Sequence, residues 1–230
     1  MFFDPLYLVI MGVGLVLSLG AQFWVKASVS KWQRVRTAGG MTGREVALSI
    51  LRSAGVGGVR VEPVDGFLSD HYDPSSRTLR LSPDIYHGDS IAAAGIAAHE
   101  VGHAIQHRDG FWPMVIRQKM VPVANLGTNL GMVLVVLGMA IGIGGLAKIG
   151  VALFAGFVAF TLVTLPVEFD ASRRAHKALL STGLLTAQEA RGVAAVLTAA
   201  AATYVAAAVT AVLQLLYFML RAGLFGRRDD

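Results

Sequence analysis

The residues best suited to chemistry lie together in His99-Glu100-Val101-Gly102-His103. On a helix, two histidines four positions apart share one face about a turn from each other, close enough to hold one metal ion. Glu100 projects beside them. A zinc ion held in this way lowers the pKa of a water and polarises a peptide carbonyl, while the carboxylate takes the water proton and later delivers it to the departing amine. The pentad is short enough to arise by chance, so its surroundings matter. Ala97 and Ala98 precede it and Ile105 continues an apolar face, as in a buried helix offering ligands to a cleft. Two imidazoles and a carboxylate buried there without partners would be costly.

A catalytic zinc takes three protein ligands and leaves one position open. His107 continues the same face, but at about 1.5 Å of rise per residue it lies about 12 Å from His99, too far to share the metal. Gln106 and Asp109 occupy the positions where an extended motif would place a glycine and a third histidine. The third ligand therefore comes from elsewhere in the chain, and the absence of cysteine leaves only imidazole or carboxylate to supply it. Glu168, in LPVEFDASRRA directly after an apolar stretch, is the main candidate and is expected at the start of a helix. Asp170 is its rival, about 200° around that helix. Either could instead be a helix N-terminal carboxylate favoured by the dipole. His71 and His87 fall in loop-like sequence, and His176 follows Glu168 by two turns as a surface or supporting residue.

The elements that must position these groups belong to a membrane protein. The chain is 54% hydrophobic and only 15% charged, with a mean hydropathy of +0.59, against about 25% charged in ordinary soluble domains. Four stretches are long enough to cross a bilayer, which takes about 20 residues: Pro5 to Val25, Leu126 to Leu146, Ile149 to Pro166 and Val193 to Leu220. The first has no basic region before it and reads as a retained anchor. The middle two form a hairpin with its turn at Ala147 and Lys148. Between the spans, Thr42–Ala54 reads as a helix with Thr42 as N-cap and Glu45 at its third position. VRVEPV and TLRLS read as strands joined by a turn over His71-Tyr72-Asp73-Pro74-Ser75-Ser76. A helix capped by Ser90 runs through the histidine pair to His107 and stops at Asp109-Gly110.

The organisation expected is therefore a span at 1–25 and a catalytic segment at 26–120 containing the zinc helix 90–107. A hairpin at 121–167, a ligand-bearing segment at 168–192 and a last span with tail at 193–230 complete it. The fold class is a mainly α membrane protein of about four transmembrane helices with a small α+β zincin-like part. The crossing hairpin returns 168–192 to the side of 26–120. Lys26, Lys31, Arg34 and Arg36, with Arg173, Arg174 and Lys177, put that side of a multi-pass membrane protein in the cytoplasm. Arg221, Arg227 and Arg228 pull the other way. The net charge of +5 lies in segments flanking the spans without interleaved aromatics, which argues against nucleic acid.

AAHEVGHAIQH, with SDHYDP and LRLSP upstream and LPVEFDASRRA downstream, resembles the YugP-like family of bacterial membrane zinc metallopeptidases over most of the chain, which implies a bacterial inner membrane. A more distant resemblance is to the HtpX-like and CAAX-prenyl proteases. It implies that His99, His103 and Glu168 hold Zn2+ and that Glu100 is catalytic, while the carboxylate of the later Glu-x-x-x-Asp pattern falls on Ser172, leaving Asp170 as a substitute. The same analogy implies a peptide or protein substrate, membrane-associated, laid along an edge strand near His71 and Asp73. Two rival readings are a metal-handling membrane transporter and a non-catalytic scaffold with a zinc site. Against the transporter, the spans hold no ionisable residue at mid-depth. Against the scaffold, closed structural sites usually contain cysteine.

Overall fold

A computed structural model describes residues 4–225. Arg227 and Arg228 lie outside the described residues. In chain order the elements are α1 (Pro5–Gln33), α2 (Gly43–Ser53), β1 (Arg60–Pro63), β2 (His71–Asp73), β3 (Thr78–Leu81), α3 (Pro83–His87), α4 (Ile91–Arg108), α5 (Trp112–Leu126), a π-helical turn (Gly127–Gly131), α6 (Met132–Ala140), α7 (Gly144–Ser181) and α8 (Ala187–Arg221). Four helical stretches, Pro5–Gln33, Trp112–Ala140, Gly144–Ser181 and Ala187–Arg221, are long and apolar enough to cross a membrane. At most 33% of the most apolar window of any of them is buried in protein. The remainder is half-buried or exposed, as expected of helices that meet lipid.

The chain divides into two compact units. One gathers residues 4–21, Val115–Leu165 and 203–225. Its helices touch through glycine, because small residues let backbones approach. A Cβ on Gly138 would meet the Ala147 nitrogen at 2.4 Å, and one on Gly150 the Val135 nitrogen at 2.5 Å. The two ends of the chain also pair here. The Tyr217 hydroxyl donates to Asp4 at 3.1 Å, Tyr7 lies 5.2 Å from the Tyr217 ring, and a Cβ on Gly14 would strike Thr210 at 2.6 Å.

Two expectations about this unit are corrected. The turn of the hairpin falls between α6 and α7, where Gly142 takes φ +75°, and Lys148 is inside α7. A left-handed residue reverses the chain and suits glycine, whereas an isolated lysine does not break a helix. The second apolar helix also begins at Trp112, ahead of the expected Leu126. Arg117, Lys119 and Pro122 mask its first turns.

The other unit comprises Gln22–Met114 and Pro166–Ala202. Its axis is α4, along which Ala92, Ala93, Ala94, Ala97, Ala98 and Val101 are wholly buried. Ser90 caps the helix by accepting from the Ala93 amide at 3.1 Å. Thr42 and Glu45 close a capping box on α2, whose Val46, Ala47 and Ile50 join the α4 core. The sheet has order β1-β3-β2, with β3 parallel to β1 and antiparallel to β2. Leu79 and Leu81 of β3 point into the core. His71–Asp73 is thus a strand of its own, on the edge, and the expected turn is confined to the residues after it. Three residues are too few to show alternation. From α7, Ala171 and Ala175 pack on α4, and from α8 Val193 and Val196 do the same for this unit's interior.

Candidate metal centre

Helix α4 sets His99 and His103 on one face with ring centroids 4.8 Å apart. Opposite them α7 brings Glu168, only 2% exposed. The close approach of the helices depends on Gly102, where a Cβ would meet the Ala171 carbonyl oxygen at 2.5 Å. Glu168 Oε2 lies 3.3 Å from His99 Nε2 and 3.6 Å from His103 Nε2. Each of the three residues offers one ligand atom within 4.8 Å of the others. Tetrahedral zinc with bonds of about 2.0–2.1 Å requires ligand atoms about 3.4 Å apart, so the donor set fits that ion in chemistry and spacing.

The outer ring nitrogens are also engaged. His103 Nδ1 lies 3.0 Å from Gln106 Oε1, and His99 Nδ1 lies 3.2 Å from Ser172 Oγ. An amide oxygen only accepts, so Nδ1 of His103 carries a proton, while Nε2 faces Glu168 and, once deprotonated, would offer its lone pair to a bound ion. Burial works against protonation of His103, but the hydrogen bond to Glu168 and the charge of Glu100 outweigh it and raise its pKa. Such a pocket is electrostatically prepared for a cation.

Glu168 sits well inside α7, so the expectation that it opens a helix is corrected, and stabilisation by an N-terminal dipole does not apply. Asp170 is not among the three clustered residues. Its carboxylate accepts from Gln106 Nε2 at 3.0 Å and pairs with Arg173 and Arg174. Glu100 is 7% exposed, and among the described residues its carboxylate makes no hydrogen bond. His107 turns away to the Tyr72 hydroxyl at 2.9 Å. His71 binds the Ser69 carbonyl through Nδ1 at 2.7 Å, and Asp73 holds Ser75, Ser76 and Arg80. Neither His71 nor Asp73 belongs to the metal-capable cluster.

Three residues at this site were not singled out from sequence as supports. In the sequence Gln106 and Ser172 stand only where motif residues are missing, and their contacts with the histidines and Asp170 depend on α7 meeting α4. Asp70 accepts from the Ser82 amide at 2.8 Å and feels the charge of Glu100. Its position beside Asp73 in SDHYDP carried no signal.

The model of a protein family described as "Putative neutral zinc metallopeptidase" matches residues 7–223. The chain belongs to that family. It is also 45% identical over 215 residues to the "Putative membrane protease YugP" of Bacillus subtilis (strain 168), covering 94% of this chain and 95% of that one. No solved structure matches it. The family is one of zinc peptidases, and His99, His103 and Glu168 form a cluster that could hold a metal ion. The family and the relative, with four membrane-capable helices, support a membrane-associated metalloprotease.

Proposed function

We propose that the chain is a membrane-embedded zinc metalloendopeptidase of the gluzincin type, with His99, His103 and Glu168 as ligands and Glu100 as general base. The observation that carries this reading is the meeting of Glu168 with two imidazoles from a helix far away in sequence, at distances suited to one tetrahedral ion. Zinc, when bound, lowers the pKa of water and polarises a peptide carbonyl. Glu100, whose carboxylate is not spent on a neighbour, takes a proton from the attacking water and passes it to the leaving amine nitrogen. Glu168, anchored on α7, keeps the two Nε2 atoms aimed at one point. The outer edge of β2 is the place for an extended protein or peptide segment to add as a strand, with His71 and Asp73 along it.

We place the protein in the bacterial inner membrane with the metal-bearing segments on the cytoplasmic side, because Lys26, Lys31 and Arg34 follow the first apolar stretch and Arg173 and Lys177 follow the third. The deciding experiment is Glu100→Gln in the purified, zinc-loaded protein. Zinc content stays at the wild-type level and peptide hydrolysis falls by about 10²–10⁴. Hydrolysis at the wild-type rate rejects the general-base role.

A further inference from the structure

We propose that Gln106 is a positioning residue for the metal centre, the link through which Asp170 fixes the tautomer and orientation of His103. This rests on the reading of His103 as a zinc ligand. Gln106 is completely buried on a helix whose buried residues are mostly small or apolar, where an unsatisfied amide would be costly. Every part of the amide is used. Nε2 donates to the Val167 carbonyl at 2.8 Å and to Asp170 Oδ2 at 3.0 Å, and both partners can only accept. The amide therefore cannot be turned over, and Oε1 must face His103 Nδ1, 3.0 Å away.

Asp170 is in turn clamped by Arg173 and Arg174, and Arg174 also reaches Asp109 at 2.6 Å. The carboxylate polarises the amide it accepts from, so Oε1 becomes a stronger acceptor for the imidazole N–H. A metal-binding histidine commonly gives its other N–H to a carboxylate directly. Here one amide stands between the two, which gives Asp170 a role without making it a ligand.

The test uses the full chain in detergent, stripped of zinc and titrated against a chromophoric chelator, with no substrate present. Gln106→Met preserves volume and removes all three bonds; zinc affinity falls by about 10–100-fold, while hydrolysis at saturating zinc falls far less. Gln106→Glu alone sets two carboxylates against each other and also loses affinity. Adding Asp170→Asn restores a donor–acceptor pair and recovers at least half of that loss on a logarithmic scale. Space-filling alone would not produce this rescue. Zinc affinity of Gln106→Met within twofold of wild type overturns the proposal. If that variant does not fold, the comparison of Gln106→Glu with the double variant decides, and absence of recovery overturns it. Because affinity is read without substrate, this outcome is separate from that of Glu100→Gln.

Discussion

At the scale of single residues, the two histidines are supported unequally. His103 faces an amide backed by a carboxylate, whereas His99 faces only the Ser172 hydroxyl at 3.2 Å. Ser172→Ala is expected to weaken zinc binding by about tenfold, and Ser172→Asp, which supplies an anionic acceptor to the same nitrogen, to tighten it; chelator competition measures both. Asp70 behaves differently. Burial raises its pKa above 3.8, the Ser82 hydrogen bonds oppose this, and the charge of Glu100 adds to the rise. A raised carboxyl holds its proton more tightly in the folded state, so its stabilising contribution is complete below 3.8 and is lost as pH climbs through the folded value. Asp70→Asn retains an acceptor for Ser82 and removes that titration. Thermal melts of the zinc-free protein across the mildly acidic range are expected to vary less with pH in the variant. The placement of the two histidines on one face with Glu100 between them was legible in the sequence because that relation is local, one turn of one helix. Gln106, Ser172 and Asp70 were not, because each acts through a partner that only the tertiary fold supplies.

At the scale of elements, the contact of α4 with α7 is the part most sensitive to added volume. Gly102→Ala puts a methyl against the Ala171 carbonyl oxygen, which is backbone and cannot swing aside. Overpacking of this kind costs about 1–3 kcal/mol, more than the gain of about 1 kcal/mol in helix propensity offsets. The expected result is a lower melting temperature together with weaker zinc binding. Gly95→Ala on the same helix meets a Val193 methyl at 3.0 Å, a side chain able to give way, and is expected to retain zinc. Helix limits were readable where polar caps mark them, at Thr42 and Ser90. The edge strand β2 and the start of α5 were not. The first pairs over only three residues, and the second carries Arg117, Lys119 and Pro122 in its opening turns.

For the whole molecule, the four helices among the described residues that are long and apolar enough to cross a membrane are expected to make an even number of crossings. The link between α6 and α7 is then expected on the face of the membrane opposite the link between α7 and α8. The chain has no cysteine, so Ile141→Cys and Ser181→Cys each introduce a single thiol without prior substitutions. An impermeant maleimide on sealed, oriented vesicles is expected to label one and spare the other; equal labelling of both from one side would refute the topology. The number of candidate spans was readable from hydropathy alone, since about 20 apolar residues have few other uses, but which of these helices touch was not. The pairing of Asp4, Tyr7 and Gly14 with Tyr217 and Thr210 bears on biosynthesis. A ribosome adding about 5–20 residues each second separates the emergence of the two partners by roughly ten to forty seconds. Throughout that interval the N-terminal helix waits in the lipid without its companion, and a nascent chain released early would leave it so permanently.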